Sequence, residues 1–223
     1  MNLFDHNETI IVLDFETTGM YPDRGDRAIE IGAVKLGDGT VLDRFQSLIN
    51  PGFLITREIE TITGISNTML VEAPPAELVM ENFARFISSY PLVAHNASFD
   101  QKFLEAEFSL LGKSRPFNFG CTLQIARRVY PDVINYKLET LVRYKQIQNK
   151  GSFHRALADA EMTAELWNSI VADLKATYQL AEVPFDLMKK IARMNKDEVP
   201  AFLEKTARET RLDPVGKTGS LFG

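Results

Sequence analysis

The chain has 223 residues, 45% hydrophobic and 25% charged, enough for one large α/β domain with an appendage. Its formal net charge of −5 argues against a protein that grips long duplex DNA by counterion release alone. No apolar run approaches the roughly 18–20 residues that span a bilayer, so no membrane partner is expected.

The opening MNLFDHNETI is acidic rather than basic and lacks a long apolar centre, unlike a signal peptide. Cys121 is the single cysteine, so an internal disulfide and a cysteine zinc site are excluded, and a cytoplasmic location is expected. TIIVLD (9–14) is a short apolar, β-rich run and predicts a buried strand. The turn formers of GMYPDRGDR follow, then AIEIGAVKL alternates as a second strand. GDG (37–39) predicts a hairpin returning into a third strand, VLDRFQSLIN. Residues 56–70 predict two short helical pieces around Gly64.

After Pro74–Pro75, AELVMENFARFISSY predicts an amphipathic helix with Leu78, Phe83, Phe86 and Ile87 on one face. PLVAHN (91–96) is an apolar strand and turn, and FDQKFLEAEFSLLG a helix stopped by Gly112. Helices are predicted over CTLQIARRVYP, KLETLVRYKQI and the long HRALADAEMTAELWNSIVADLKAT. Strands followed by helices predict a mixed sheet covered on both sides. The pattern changes after residue 178. FDLMKKIARM and PAFLEKTARE predict two short helices, and DPVGKTGSLFG a loose tail. The division is therefore a domain over 1–178 and a helical C-terminal extension over 179–223. From Asp186 onward, eight Lys/Arg face six Asp/Glu, so this end carries +2 and the rest −7.

Chemistry concentrates in LDFETTG (13–19), AHNASFD (94–100) and HRALADAE (154–161). Asp14 and Glu16 stand two apart at a strand end, so both project from one face, while Phe15 points into the opposite layer. Asp100 follows an apolar strand and opens a helix, where an Asp alone reads as an N-cap. His154 and Asp159 are five apart, about 140° around a continuous helix. The simplest arrangement puts His154 on the loop or first turn after Gly151–Ser152 and Asp159 inside the helix. Four carboxylates brought together would repel one another, and a fold keeps such a cluster if cations neutralise it. Hard divalent ions such as Mg²⁺ and Mn²⁺ prefer oxygen ligands. A nearby His adds a proton acceptor that works near neutral pH.

These three segments resemble the exonuclease motifs of the DEDDh superfamily of 3′→5′ exonucleases, which includes the proofreading epsilon subunits of bacterial DNA polymerase III and stand-alone relatives. The likeness covers roughly residues 9–172, with all five family positions occupied in order. It implies a ribonuclease-H-like fold, a mixed β-sheet flanked by α-helices. It also implies two divalent cations, Mg²⁺ or Mn²⁺, held by Asp14, Glu16, Asp100 and Asp159, with His154 as general base. Thr17 and Thr18 would meet the 3′-terminal nucleotide, His95 and Asn96 would form the turn beside the site, and Ile65 would be an exposed wedge against the last base.

The implied reaction is hydrolysis of phosphodiester bonds at single-stranded or frayed 3′ ends, releasing nucleoside 5′-monophosphates in DNA repair or proofreading. DNA is the expected polymer and RNA the alternative, since one 2′-OH contact decides between them. A polymerase-associated binding module is the alternative of a different class. The C-terminal extension is the expected place for a polymerase or other repair protein to bind. No long glutamine-rich linker or clear clamp-binding peptide is present, which favours a stand-alone enzyme.

Overall fold

The computed structural model describes residues 9–113, 116–148 and 154–212. The expected turn at Gly151–Ser152 and the expected loose tail from Asp213 lie outside the described residues. One five-stranded sheet organises the molecule, in the order β3-β2-β1-β4-β5. β1 (Thr9–Thr17) lies at its centre, antiparallel to β2 (Ala28–Gly37) and parallel to β4 (Leu92–Ala94). β3 (Thr40–Leu48) extends the antiparallel edge, and β5 (Phe119–Cys121) pairs parallel to β4. The β2–β3 hairpin turns at Asp38 and Gly39, both at positive φ (49° and 73°). That is the two-residue geometry which follows the right-handed twist of the strands.

Alternation along β1 divides the core into two layers. Ile11, Leu13 and Phe15 point to one face, where Phe83, Phe103 and Phe108 cover them from α3 (Ala76–Ile87) and α4 (Ser98–Leu110). Ile10 and Val12 point to the other, under α5 (Thr122–Val129) and α7 (Ala156–Tyr178). In α3 the inward residues are Ala76, Val79, Met80, Phe83 and Ile87, while Leu78 is exposed. Five residues separate Leu78 from Phe83, which rotates it away from that stripe and corrects the expected face.

Two short helices, α1 (Arg57–Thr63) and α2 (Asn67–Val71), flank Gly64, and α6 (Leu138–Tyr144) precedes α7. The segment after residue 178 forms α8 (Phe185–Arg193) and α9 (Val199–Leu212). Phe185, Met188, Ile191, Val199 and Leu203 are buried in the same cluster as Ile10 and Val12. Trp167 of α7 stacks on Phe185 with ring centroids 6.0 Å apart. Among the described residues no helix is long and apolar enough to cross a membrane.

Candidate active site

β4 pairs with β1 only at Ile11 and Val12, then the chain turns away at His95 into α4. The carboxyl end of β1 is thus left open beside a parallel neighbour, the place where α/β sheets bind ligands. Asp14 and Glu16 continue the Ile10–Val12 face into this opening. Asp100 arrives from α4, where it is the third helical residue and not the N-cap. It is 1% exposed, and its Oδ1 accepts from the Phe15 backbone N–H at 3.2 Å.

Asp159 sits in the first turn of α7, and Oδ2 accepts from the His154 backbone N–H at 3.0 Å. His154 is exposed and precedes the helix with φ 65°, so the loop geometry escapes the 140° conflict. Ligand atoms of Glu16, His154 and Asp159 all lie within 4.8 Å of one another. Asp14, His154 and Asp159 share an open pocket of about 290 Å³ with His95, Lys137, Leu138 and Glu139.

The electrostatics match a site that carries more charge than it can hold alone. Burial, then the charges of Asp100, Asp159, Glu16 and Glu30, push Asp14 well above the usual carboxylate range. Burial raises Glu16 to about 8, with Asp159 and Glu30 adding to it. Burial also takes Asp100 to about 8 against the pull of its backbone hydrogen bonds. Asp159 is raised to about 6 by burial, opposed by the His154 N–H. Its Oδ1 is buried with no hydrogen-bond partner. An orphaned carboxylate oxygen among other carboxylates is a donor set that fits a hard divalent cation.

Other expected contacts fall differently. Thr17 Oγ1 donates to the Gly19 carbonyl at 2.7 Å. Thr18 Oγ1 donates to Asp26 Oδ1 at 3.3 Å and accepts from the Arg27 N–H at 3.0 Å. Both hydroxyls therefore brace the turn. A Cβ on Gly19 would lie 2.4 Å from Asp26 Oδ2, which is why this position takes glycine. His95 has no ring nitrogen left for a substrate. Nδ1 meets Thr122 Oγ1 at 2.9 Å, and Nε2 meets the Tyr136 carbonyl at 2.8 Å. Burial lowers its pKa to about 4, so it stays neutral, with Nε2–H donating to the carbonyl. Asn96 is exposed at φ 66°, and its carbonyl starts α4 by accepting from the Phe99 N–H.

Ile65 is not exposed. It is 0% accessible and packs with Ile29, Ile55 and Leu70. Gly64 ends α1 at φ 68°, and Ser66 caps α2 by accepting from the Met69 N–H. Ile65 is thereby the residue before an N-cap and Leu70 the fourth helical residue, the pair that forms a hydrophobic staple. The outward apolar side chains of this segment are Ile62 in α1, 50% exposed, and Val71 in α2, 68% exposed.

A family model for the Exonuclease (RNase T) family matches residues 11–167. The chain belongs to that family. It is 32% identical over 183 residues to the DNA polymerase III subunit epsilon of Aquifex aeolicus, covering 81% of this chain and 88% of that one. It is 37% identical over 165 residues to the DNA polymerase III PolC-type of Caldanaerobacter subterraneus, covering 74% of this chain and 12% of the relative. It is 33% identical over 195 residues to the 3′-5′ exonuclease DinG of Bacillus subtilis, covering 86% of this chain. The chain thus spans about one eighth of the PolC-type relative and 20% of DinG. Among solved structures it is similar to exonuclease X in complex with 5′ overhanging duplex DNA, at TM-score 0.64 and 26% identity, over 82% of this chain and 99% of that one. The nuclease domain of 3′hExo, a DEDDh family member bound to rAMP, shares the fold at TM-score 0.65 and 19% identity, over 76% of this chain and 94% of that one. The mixed sheet with helices on both faces is the ribonuclease-H-like exonuclease fold.

Two buried residues escaped the sequence reading. Glu30 and Glu107 are 0% and 3% exposed, each held by an arginine fork. A lone charge inside the apolar run AIEIGAV was the available signal for the first. Lys137, exposed at the pocket wall, was also missed, because nothing in KLETL marks it as facing the acids.

Proposed function

We propose that this chain is a metal-dependent 3′→5′ exonuclease that shortens single-stranded or frayed DNA 3′ ends and releases nucleoside 5′-monophosphates. The observation that carries the reading is that Asp14, Asp159 and a loop-borne His154 share one open pocket, with Glu16 beside His154 and Asp159 and Asp100 buried against the Phe15 N–H, in a chain of the exonuclease family.

Asp14, Glu16, Asp100 and Asp159 would hold two Mg²⁺ or Mn²⁺ ions. When bound, such ions supply Lewis-acid polarisation of the phosphate and activation of a water. His154 accepts the proton of the attacking water, a role suited to an exposed imidazole held by its backbone rather than its ring. Lys137 is placed to meet a substrate phosphate at the pocket wall. Ile62, exposed on α1, would be an apolar side chain available to a terminal base. DNA is favoured over RNA because the similar polymerase III proteins are DNA polymerases by name. Repair or proofreading is the corresponding role. A polymerase or other repair protein would meet the polar outer faces of α8 and α9, since their apolar faces are already buried.

The test is incubation of the purified chain with matched 5′-labelled DNA and RNA oligonucleotides, with Mg²⁺, Mn²⁺ or EDTA. A ladder shortening from the 3′ end of DNA in metal supports the reading. Equal or faster shortening of RNA moves the substrate to the other sugar.

A further inference from the structure

Glu30 is a fully buried carboxylate, the third residue of β2, paired in register with Glu16 of β1. Oε1 accepts from Arg155 Nη2 at 2.8 Å and from Gln46 Nε2 at 2.9 Å. Oε2 accepts from Arg155 Nε at 3.1 Å and from the Ala156 N–H at 3.2 Å. Four bonds fill the acceptor capacity of a carboxylate, so Glu30 has nothing left to offer a cation. Three of the four bonds come from residues 155 and 156, where α7 begins. Two positions along β2, a Cβ on Gly32 would lie 2.1 Å from the Leu157 backbone nitrogen. Three consecutive residues at the start of α7 are therefore seated on β2. His154 immediately precedes them and Asp159 follows two residues after Leu157. Asp159 N–H donates to the Arg155 carbonyl at 3.0 Å, which ties the acid to the anchored residue itself.

We propose that Glu30 is a positioning residue for the reaction. Through Arg155 and the Ala156 N–H it fixes the rotation and height of the amino end of α7, and so places Asp159 and His154 against Asp14 and Glu16. The proposal rests on the exonuclease reading. An ion pair that only stabilises the fold is the competing account, and buried pairs are often replaceable without loss. Arg44 and Glu161 supply the comparison, because their 2.7 Å pair also ties a strand, β3, to α7, but at the surface and beyond the first turn.

The experiment uses the full chain as Glu30→Gln, Arg155→Lys and Arg44→Gln. Two readouts are taken: steady-state kinetics on a single-stranded DNA oligonucleotide, and amide hydrogen exchange. Glu30→Gln should lower kcat by about 10–100-fold, the usual worth of a group that orients a metal ligand, with KM little changed. Arg155→Lys keeps the charge but loses the fork, and should fall between Glu30→Gln and wild type. Exchange should quicken in the first turns of α7 and stay unchanged in α4. Arg44→Gln should alter neither readout. Wild-type kcat in Glu30→Gln overturns the proposal, as does exchange that rises equally in α4 and α7. If Glu30→Gln does not fold, wild-type kcat and exchange in Arg155→Lys overturn it. A wild type with no nuclease activity would sink the exonuclease reading, and the exchange arm would still decide whether Glu30 anchors α7.

Discussion

The Phe15 backbone N–H donates to Asp100 Oδ1 at 3.2 Å, joining residues 85 positions apart in sequence. The bond exists because β4 stops short. β1 is paired on that side only at Ile11 and Val12, so the Phe15 N–H would otherwise be a buried donor without an acceptor. The helix that β4 leads into brings back a carboxylate to meet it. One interaction thus completes the sheet edge and fixes a site acid.

Asp100 should therefore respond differently to two substitutions. Asp100→Asn keeps an acceptor for Phe15 and removes a charge that the site repels, so in EDTA its thermal midpoint should equal or exceed wild type. Asp100→Ala leaves the N–H unmet, which costs about 1–3 kcal/mol. At this chain length each kcal/mol shifts the midpoint by about 2–4 °C. Both variants should lose nearly all nuclease activity. Calorimetry in EDTA decides it, and an Asn variant less stable than the Ala variant would contradict the account.

The metal-free protein should lose stability as pH rises. Glu16 and Asp100 are raised to about 8 and Asp159 to about 6, against ordinary values of 4.5 and 3.8. Between those limits the folded chain binds more protons than the unfolded one, so the stability slope with pH is negative. The contribution of these groups is full below about pH 4 and lost as pH passes about 8. Saturating Mn²⁺ should flatten the dependence by neutralising the same charges. Chemical denaturation at pH 5, 6.5 and 8, with EDTA or Mn²⁺, measures it.

His154→Ala should lower the single-turnover rate by about 10²–10⁴-fold, the usual worth of a positioned proton acceptor. Only neutral imidazole accepts a proton, so the wild-type rate should rise with pH and level off. The variant should lack that limb, and its Mn²⁺ affinity should change far less than that of Asp159→Ala. A variant with the wild-type profile and rate would reduce His154 to a loop residue.

Ile62 and Ile65 should part company on substitution. Ile65→Ala opens a hole in a buried cluster and should cost about 2–5 kcal/mol. Ile62→Ala should leave the unfolding midpoint nearly unchanged and slow removal of paired 3′ nucleotides more than unpaired ones. Equal rates on both ends for Ile62→Ala would remove its proposed contact with the terminal base.

The sequence made the carboxylates legible because DFETTG, HNASFD and HRALAD together resemble the exonuclease motifs. Taken singly, Asp14 and Glu16 read as an acidic strand end and Asp100 as a helix N-cap. The placement of His154 outside α7 was forced by helix geometry alone. What stayed hidden depends on long-range pairing. β5 has three residues, too few for any periodicity, and exists because Leu92, Val93 and Ala94 lie beside it. Ile65 beside Gly64 reads as exposed in sequence, because the staple with Leu70 depends on α2 beginning at Asn67. Glu30 and Glu107 find their arginines 125 and 80 residues away, distances at which sequence pattern carries no signal.

The most direct measurement is the identity and order of products from a 5′-labelled single-stranded DNA oligonucleotide, sampled over time in Mg²⁺ and in EDTA. The account predicts nucleoside 5′-monophosphates released stepwise from the 3′ end in Mg²⁺, and none after chelation. Internal cleavage products, or undiminished release in EDTA, would contradict it.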